Sequence, residues 1–96
     1  MSRSDIIQIL KTFKEEHSKE YGIQLMGVFG SIARDEARVD SDVDVVVKLL
    51  KQDMFNLIGI KQDLEGILNI PIDLISYREK MNPFLKKRID KDAFYV

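Results

Sequence analysis

The chain has 96 residues, no cysteine and a formal charge of −1. That length fits one small domain spanning 1–96, and the missing cysteines exclude a disulfide framework and zinc–thiolate sites. With 45% hydrophobic residues it is not a disordered chain, and its near-neutral balance gives no general pull toward nucleic acid or membrane. No apolar run approaches the ~20 residues needed to cross a bilayer, and the polar start MSRSD is not a signal peptide. The expectation is a cytoplasmic protein with no membrane contact and no direct nucleic-acid binding.

Ser4 is placed to cap a first helix in which Ile6, Ile7, Leu10, Phe13 and Tyr21 recur at helical spacing. Gly22 breaks that pattern, and Ile23 to Phe29 is a short apolar run that reads as a strand ending at Gly30. A brief helix over Ser31 to Ala37, capped by Ser31, then leads through a turn at 38–41 into a second strand, Val43 to Val47. Asp53 opens a further helix with an apolar stripe of Met54, Leu57, Ile58, Leu64 and Leu68, weakened by Gly59 and Gly66. Pro71 introduces a third strand, Ile72 to Ile75. Asn82-Pro83 pairs a cap with proline at the first helical position, and a last helix runs to about Lys91. The order α-β-α-β-α-β-α, without linker or repeat, makes a two-layer α/β domain.

Asp42 and Asp44, in SDVDVVV, are the anomaly in this pattern. Side chains alternate along a strand, so both carboxylates share one face while Val43, Val45 and Val47 share the other. At ~4 Å two such charges oppose each other by roughly 1 kcal/mol in water and about 4 at a protein surface. A divalent cation would offset that cost. Asp73, early in the third strand, becomes a third carboxylate at the same place if that strand lies beside the second. Mg²⁺ prefers oxygen ligands and is held by one or two carboxylates plus substrate phosphates, and three carboxylates suffice for a two-metal site.

Gly30-Ser31 supplies the complementary half. A glycine after a strand lets backbone approach a phosphate, and the following N–H groups with the Ser31 hydroxyl can bind its oxygens. Arg34, one turn on, either reaches the same phosphates or pairs with Asp35, Glu36 or Asp40. GVFGS lacks the lysine of a P-loop, and no G-x-G-x-x-G follows a strand, so neither a P-loop ATPase nor a Rossmann domain is supported.

Gly30-Ser31-x-x-Arg34, then Ser41-Asp42-x-Asp44, then Pro71-Ile72-Asp73-Leu74, resembles the signature of the minimal nucleotidyltransferases. These belong to the DNA polymerase beta-like nucleotidyltransferase superfamily. The likeness covers nearly the whole chain, including LIGIKQDLEGILN at 57–69 and the closing basic helix. It implies a polymerase beta palm-like core with a small mixed sheet. It implies that Asp42 and Asp44 bind two Mg²⁺ ions, that Asp73 completes the metal site and favours deprotonation of the acceptor hydroxyl, and that Gly30, Ser31 and Arg34 hold the phosphates of ATP.

So short a transferase has little surface left to select an acceptor, which points to a docked partner. Minimal nucleotidyltransferases are paired with HEPN-domain toxins, so the resemblance implies an antitoxin that moves AMP to a partner hydroxyl, a tyrosine in this reading, within a hetero-oligomer. The alternatives are a binding antitoxin that acts by occlusion, and a small-molecule nucleotidyltransferase with a separate acceptor-binding subunit. His17 reads as a surface residue on the polar side of the first helix, and the methionines and aromatics as core. The basic residues among 78–91 read as a solvated helix face or as a contact for RNA or an acidic partner.

Overall fold

Ser2, rather than Ser4, caps the first helix. Its hydroxyl accepts from the Asp5 amide at 3.2 Å, while an Asp5 carboxylate oxygen accepts from the Ser2 amide at 3.1 Å. This capping box also sets a carboxylate in the first turn, where the helix dipole favours it. The computed structural model describes residues 2–34 and 42–96. Helix α1 (Arg3–Tyr21) buries Ile6, Leu10 and Phe13 and stops at Gly22, whose φ of +67° is the left-handed conformation that glycine adopts without strain.

Strand β1 (Ile23–Phe29) leads directly into the one-turn helix α2 (Gly30–Ala33), whose cap is Phe29, so Ser31 lies inside the helix and not before it. Arg34 caps the other end, so the helix expected to run to Ala37 ends at Ala33; residues 35–41, with the turn expected at 38–41, lie outside the described residues. Beyond them come β2 (Val43–Leu49), α3 (Met54–Leu68), β3 (Ile72–Ser76), α4 (Pro83–Asp92) and β4 (Phe94–Tyr95). Asp53 caps α3 through the Phe55 and Asn56 amides, and Asn82 caps α4 through those of Phe84 and Leu85.

The sheet order is β3-β2-β1-β4. Strand β1 pairs antiparallel with β2 and with β4, and β2 pairs parallel with β3, so the sheet is mixed and the domain is α+β. Strand β4 is too short for any periodic signal in the sequence. It docks because Gly27 has no side chain: a Cβ there would stand 2.5 Å from the Phe94 carbonyl oxygen. The Val96 amide then donates to Met26 O, and Lys14 Nζ donates to Val96 O.

Val43, Val45, Val47 and Leu49 from β2 enter the main core with α1 and α3. Val46 points the other way and is also fully buried, under Phe29 and Ile89 of α4. Strand β2 is therefore covered on both faces. On α3 the buried stripe is Ile60, Leu64 and Leu68, whereas Met54 and Ile58, expected inside, are exposed. Phe55 and Phe84 are more than three-quarters exposed, so these aromatics are not core. Gly59 has a packing reason, since a Cβ there would lie 3.0 Å from the Tyr21 ring.

Candidate active site

The three aspartates singled out by the sequence converge at one end of the sheet. Asp42 immediately precedes β2, Asp44 is its second residue, and Asp73 is the second residue of β3. Because β2 and β3 are parallel with Asp44 opposite Asp73, the two carboxylates leave neighbouring strands toward the same face. A hydrogen bond of 3.1 Å from the Val43 amide to Pro71 O ties the two strand starts together. Asp42 and Asp73 are exposed and Asp44 is half-buried.

The antiparallel partner of Asp44 is Phe29, so the turn at Gly30 arrives beside the same carboxylate. Gly30 is buried with φ +69°, and a Cβ on it would run into Asp44 Oδ2. Only glycine combines this conformation with so close an approach. The Gly30–Ser31 peptide thus opens α2 against the acidic strand end.

Electrostatics bear out the crowding. Burial pushes the Asp44 carboxyl above its ordinary value, and Asp73 and Asp42 push it the same way; the guanidinium groups of Arg88 and Arg34 oppose them. Arg34, at the end of α2, donates from Nη1 to Asp92 Oδ2 at 2.9 Å. Its described ion-pair partner is therefore on α4, whereas Asp35, Glu36 and Asp40 lie outside the described residues. In the sequence Arg88 stands out only as part of a basic run, yet its charge acts on Asp44. The helical spacing is the signal: Arg88 and Asp92, four residues apart, share the face of α4 beside the buried Ile89, and that face meets Arg34 and acts on Asp44. Elsewhere in that run Lys86 pairs with Glu79 at 3.2 Å and lies over the Tyr77 ring.

His17 lies at the surface, packed on one side by an aromatic ring. That ring, Phe13, is 4.5 Å away, and the His17 side chain is 31% exposed.

A family model described as Polymerase beta, Nucleotidyltransferase matches residues 5–95. The chain belongs to that family. Among curated relatives of this nucleotidyltransferase, "Putative protein adenylyltransferase MJ0126" of Methanocaldococcus jannaschii is 33% identical over 94 residues, covering 97% of this chain and 96% of the relative. Protein adenylyltransferase MntA of Thermococcus cleftensis is 30% identical over 97 residues, covering 100% and 97%. A solved structure described as a "putative minimal nucleotidyltransferase" superposes with a TM-score of 0.81 at 27% identity, over 100% of this chain and 97% of that one. A chain from a complex of tri-AMPylated Shewanella oneidensis HEPN toxin with MNT antitoxin shares the fold at 19% identity, with a TM-score of 0.65 over 92% and 69%. The nucleotidyltransferase fold that the resemblance implied is thus the observed one.

Proposed function

We propose that this chain is a Mg²⁺-dependent protein adenylyltransferase that moves AMP from ATP to a tyrosine hydroxyl of a HEPN-type toxin and so acts as its antitoxin in the cytoplasm. The observation that carries the reading is the strand register that sets Asp73 beside Asp44, with Gly30 packed against the same carboxylate. Relatives named protein adenylyltransferase over nearly the full chain support the reaction class. The complex of an AMPylated HEPN toxin with an MNT antitoxin supports the partner class.

The donor set fits the metal: three carboxylates with no imidazole among them, one half-buried and raised in pKa, make a hard oxygen site. Asp42, Asp44 and Asp73 would hold Mg²⁺, which when bound supplies neutralisation of the triphosphate charge and activation of the acceptor oxygen. The Gly30 and Ser31 peptide groups hold the β- and γ-phosphates, and Arg34 and Arg88 set positive charge beside them. Asp73 favours loss of the acceptor proton. The acceptor oxygen then forms its bond to the α-phosphorus as the bond from that phosphorus to pyrophosphate breaks. Positioning and charge stabilisation account for the rate.

The test is the intact mass of a co-purified partner after incubation with ATP and Mg²⁺, beside Asp42→Asn/Asp44→Asn. Gains in AMP-sized steps on the partner, with the wild-type chain alone, are the expected result. An unchanged partner mass in a complex that still forms would refute transfer to the partner and leave occlusion, or transfer to another acceptor.

A further inference from the structure

The seam between α1 and α3, on elements remote in sequence from the strand-end aspartates, gathers a second set of ligating side chains. His17 and Glu20 from α1 and Asp63 from α3 bring one ligand atom each to within 4.8 Å of one another. His17 and Glu20 are three residues apart, so they share a helix face, and His17 Nδ1 lies 3.2 Å from Glu20 Oε2. Asp63 is held in place by Tyr21, whose hydroxyl donates to its Oδ2 at 2.6 Å. Tyr21 is itself fixed over Gly59, and the His17 ring is fixed against Phe13. Glu16 Oε2 stands 4.0 Å from the second ring nitrogen, Nε2. Among the described residues no lysine or arginine pairs with Glu16, Glu20 or Asp63.

We propose that His17, Glu20 and Asp63 bind a divalent transition-metal ion, zinc in the first instance, which fastens the last turns of α1 to α3. Imidazole nitrogen and carboxylate oxygens are zinc donors, at about 2.0–2.2 Å, which in a tetrahedron sets them about 3.4 Å apart. The three side chains therefore close by about 1.4 Å at most from their present 4.8 Å limit, a distance that side-chain rotation covers. Water takes the fourth position. With the ion on Nδ1, Nε2 is left to Glu16, whose carboxylate at 4.0 Å has to close by about 1 Å to accept its proton. The carboxylate ligand Asp63 already has the outer partner that orients it, Tyr21, and Glu16 is the group within reach of the imidazole. Magnesium fits this set poorly, because it takes oxygen ligands in near-ideal octahedra. The donor chemistry thus separates the two ends of the molecule: oxygen alone at the strand ends, nitrogen with oxygen at the helix seam.

The chain has a single histidine, so its ring resonances report on this site alone. Zinc chloride titrated into the full chain in excess Mg²⁺, followed by proton–carbon NMR of the imidazole, is expected to move those resonances to saturation at one equivalent with micromolar affinity. Asp63→Asn and Glu20→Gln, checked for folding by circular dichroism, should each weaken binding by about a hundredfold or more, and Tyr21→Phe by about tenfold. Ring signals unmoved by millimolar zinc would overturn the proposal. So would equal affinity in wild type and Asp63→Asn, which would mean a lone imidazole binding zinc without its carboxylates.

Discussion

Asp44→Asn should abolish nucleotidyl transfer and yet stabilise the metal-free fold. Adjacent strands lie about 4.8 Å apart, so one strand spacing, roughly 5 Å, sets the scale on which the facing carboxylates of Asp44 and Asp73 repel. Their repulsion on that scale is about 0.8 kcal/mol at the dielectric of water and about 3 at that of a protein surface. Asp44 is only half-buried, and Arg88 and Arg34 offset part of the repulsion, so the net relief on neutralising it is about 1 kcal/mol. For a domain of this size that raises the melting temperature by about 4–8 °C. The pH dependence follows from the direction of the shift. A carboxyl whose pKa is raised by folding holds its proton more tightly in the folded state. Wild-type stability therefore falls as pH climbs from the unfolded value of 3.8 through the higher folded one, and the deficit persists at pH 7. Thermal melts by circular dichroism in EDTA should show Asp44→Asn above wild type at pH 7, with the gap closing below pH 3.8. Added Mg²⁺ should raise wild type and leave the variant unmoved. A variant that melts at or below wild type in EDTA at pH 7 would refute the argument that these carboxylates are held together against their repulsion.

Gly30→Ala puts a Cβ into Asp44 Oδ2 at a positive φ, so a loss of about 2 kcal/mol or more and loss of ATP binding are expected by melts and calorimetry. The two glycines of α3 should part company. Gly66→Ala meets nothing within 4 Å and should gain about 0.5–1 kcal/mol, whereas Gly59→Ala meets the Tyr21 ring at 3.0 Å and should show no such gain in urea unfolding. Ultraviolet titration of the folded chain should show Tyr21, Tyr77 and Tyr95 all ionising above the ordinary pH of 10.0. Tyr77, hydrogen-bonded to Asp90, is pushed up to about 12, and in Asp90→Asn it should titrate earlier.

The legible parts of this fold are those with local causes. Alternation along Val43 to Val47 placed Asp44 on the face opposite the core valines, and Asp53 and Asn82 marked two helix starts by their own side-chain hydrogen bonds. Gly30, Asp44 and Asp73 were readable as a set because each lies at a strand end, and the strand ends meet. What escaped was set by distant partners. Helix α3 is apolar on more than one side, so its sequence did not say that Ile60 rather than Ile58 faces the core; packing against β3 and α1 decides it. Strand β4 forms because Gly27 leaves room 67 residues earlier in the chain, which no window around Phe94 reveals. The Arg34–Asp92 pair joins residues 58 apart and depends on α4 crossing to α2. His17 lies at the surface, but the rings of Phe13 and Tyr21, one helical turn to either side, pack against it.

Strand β2 is buried on both faces, with Val43, Val45, Val47 and Leu49 beneath α1 and α3 and Val46 beneath α4. Such a strand gives its neighbours little apolar contrast by which to choose an alignment. Asp44 and Lys48 supply that contrast. Slipped by one position against β1 and β3, β2 would turn both charges into the valine core, where an unpaired ion costs several kcal/mol. The carboxylate that crowds the strand end thus also proofreads the sheet, so that a chain able to fold at all folds with its acidic cluster assembled.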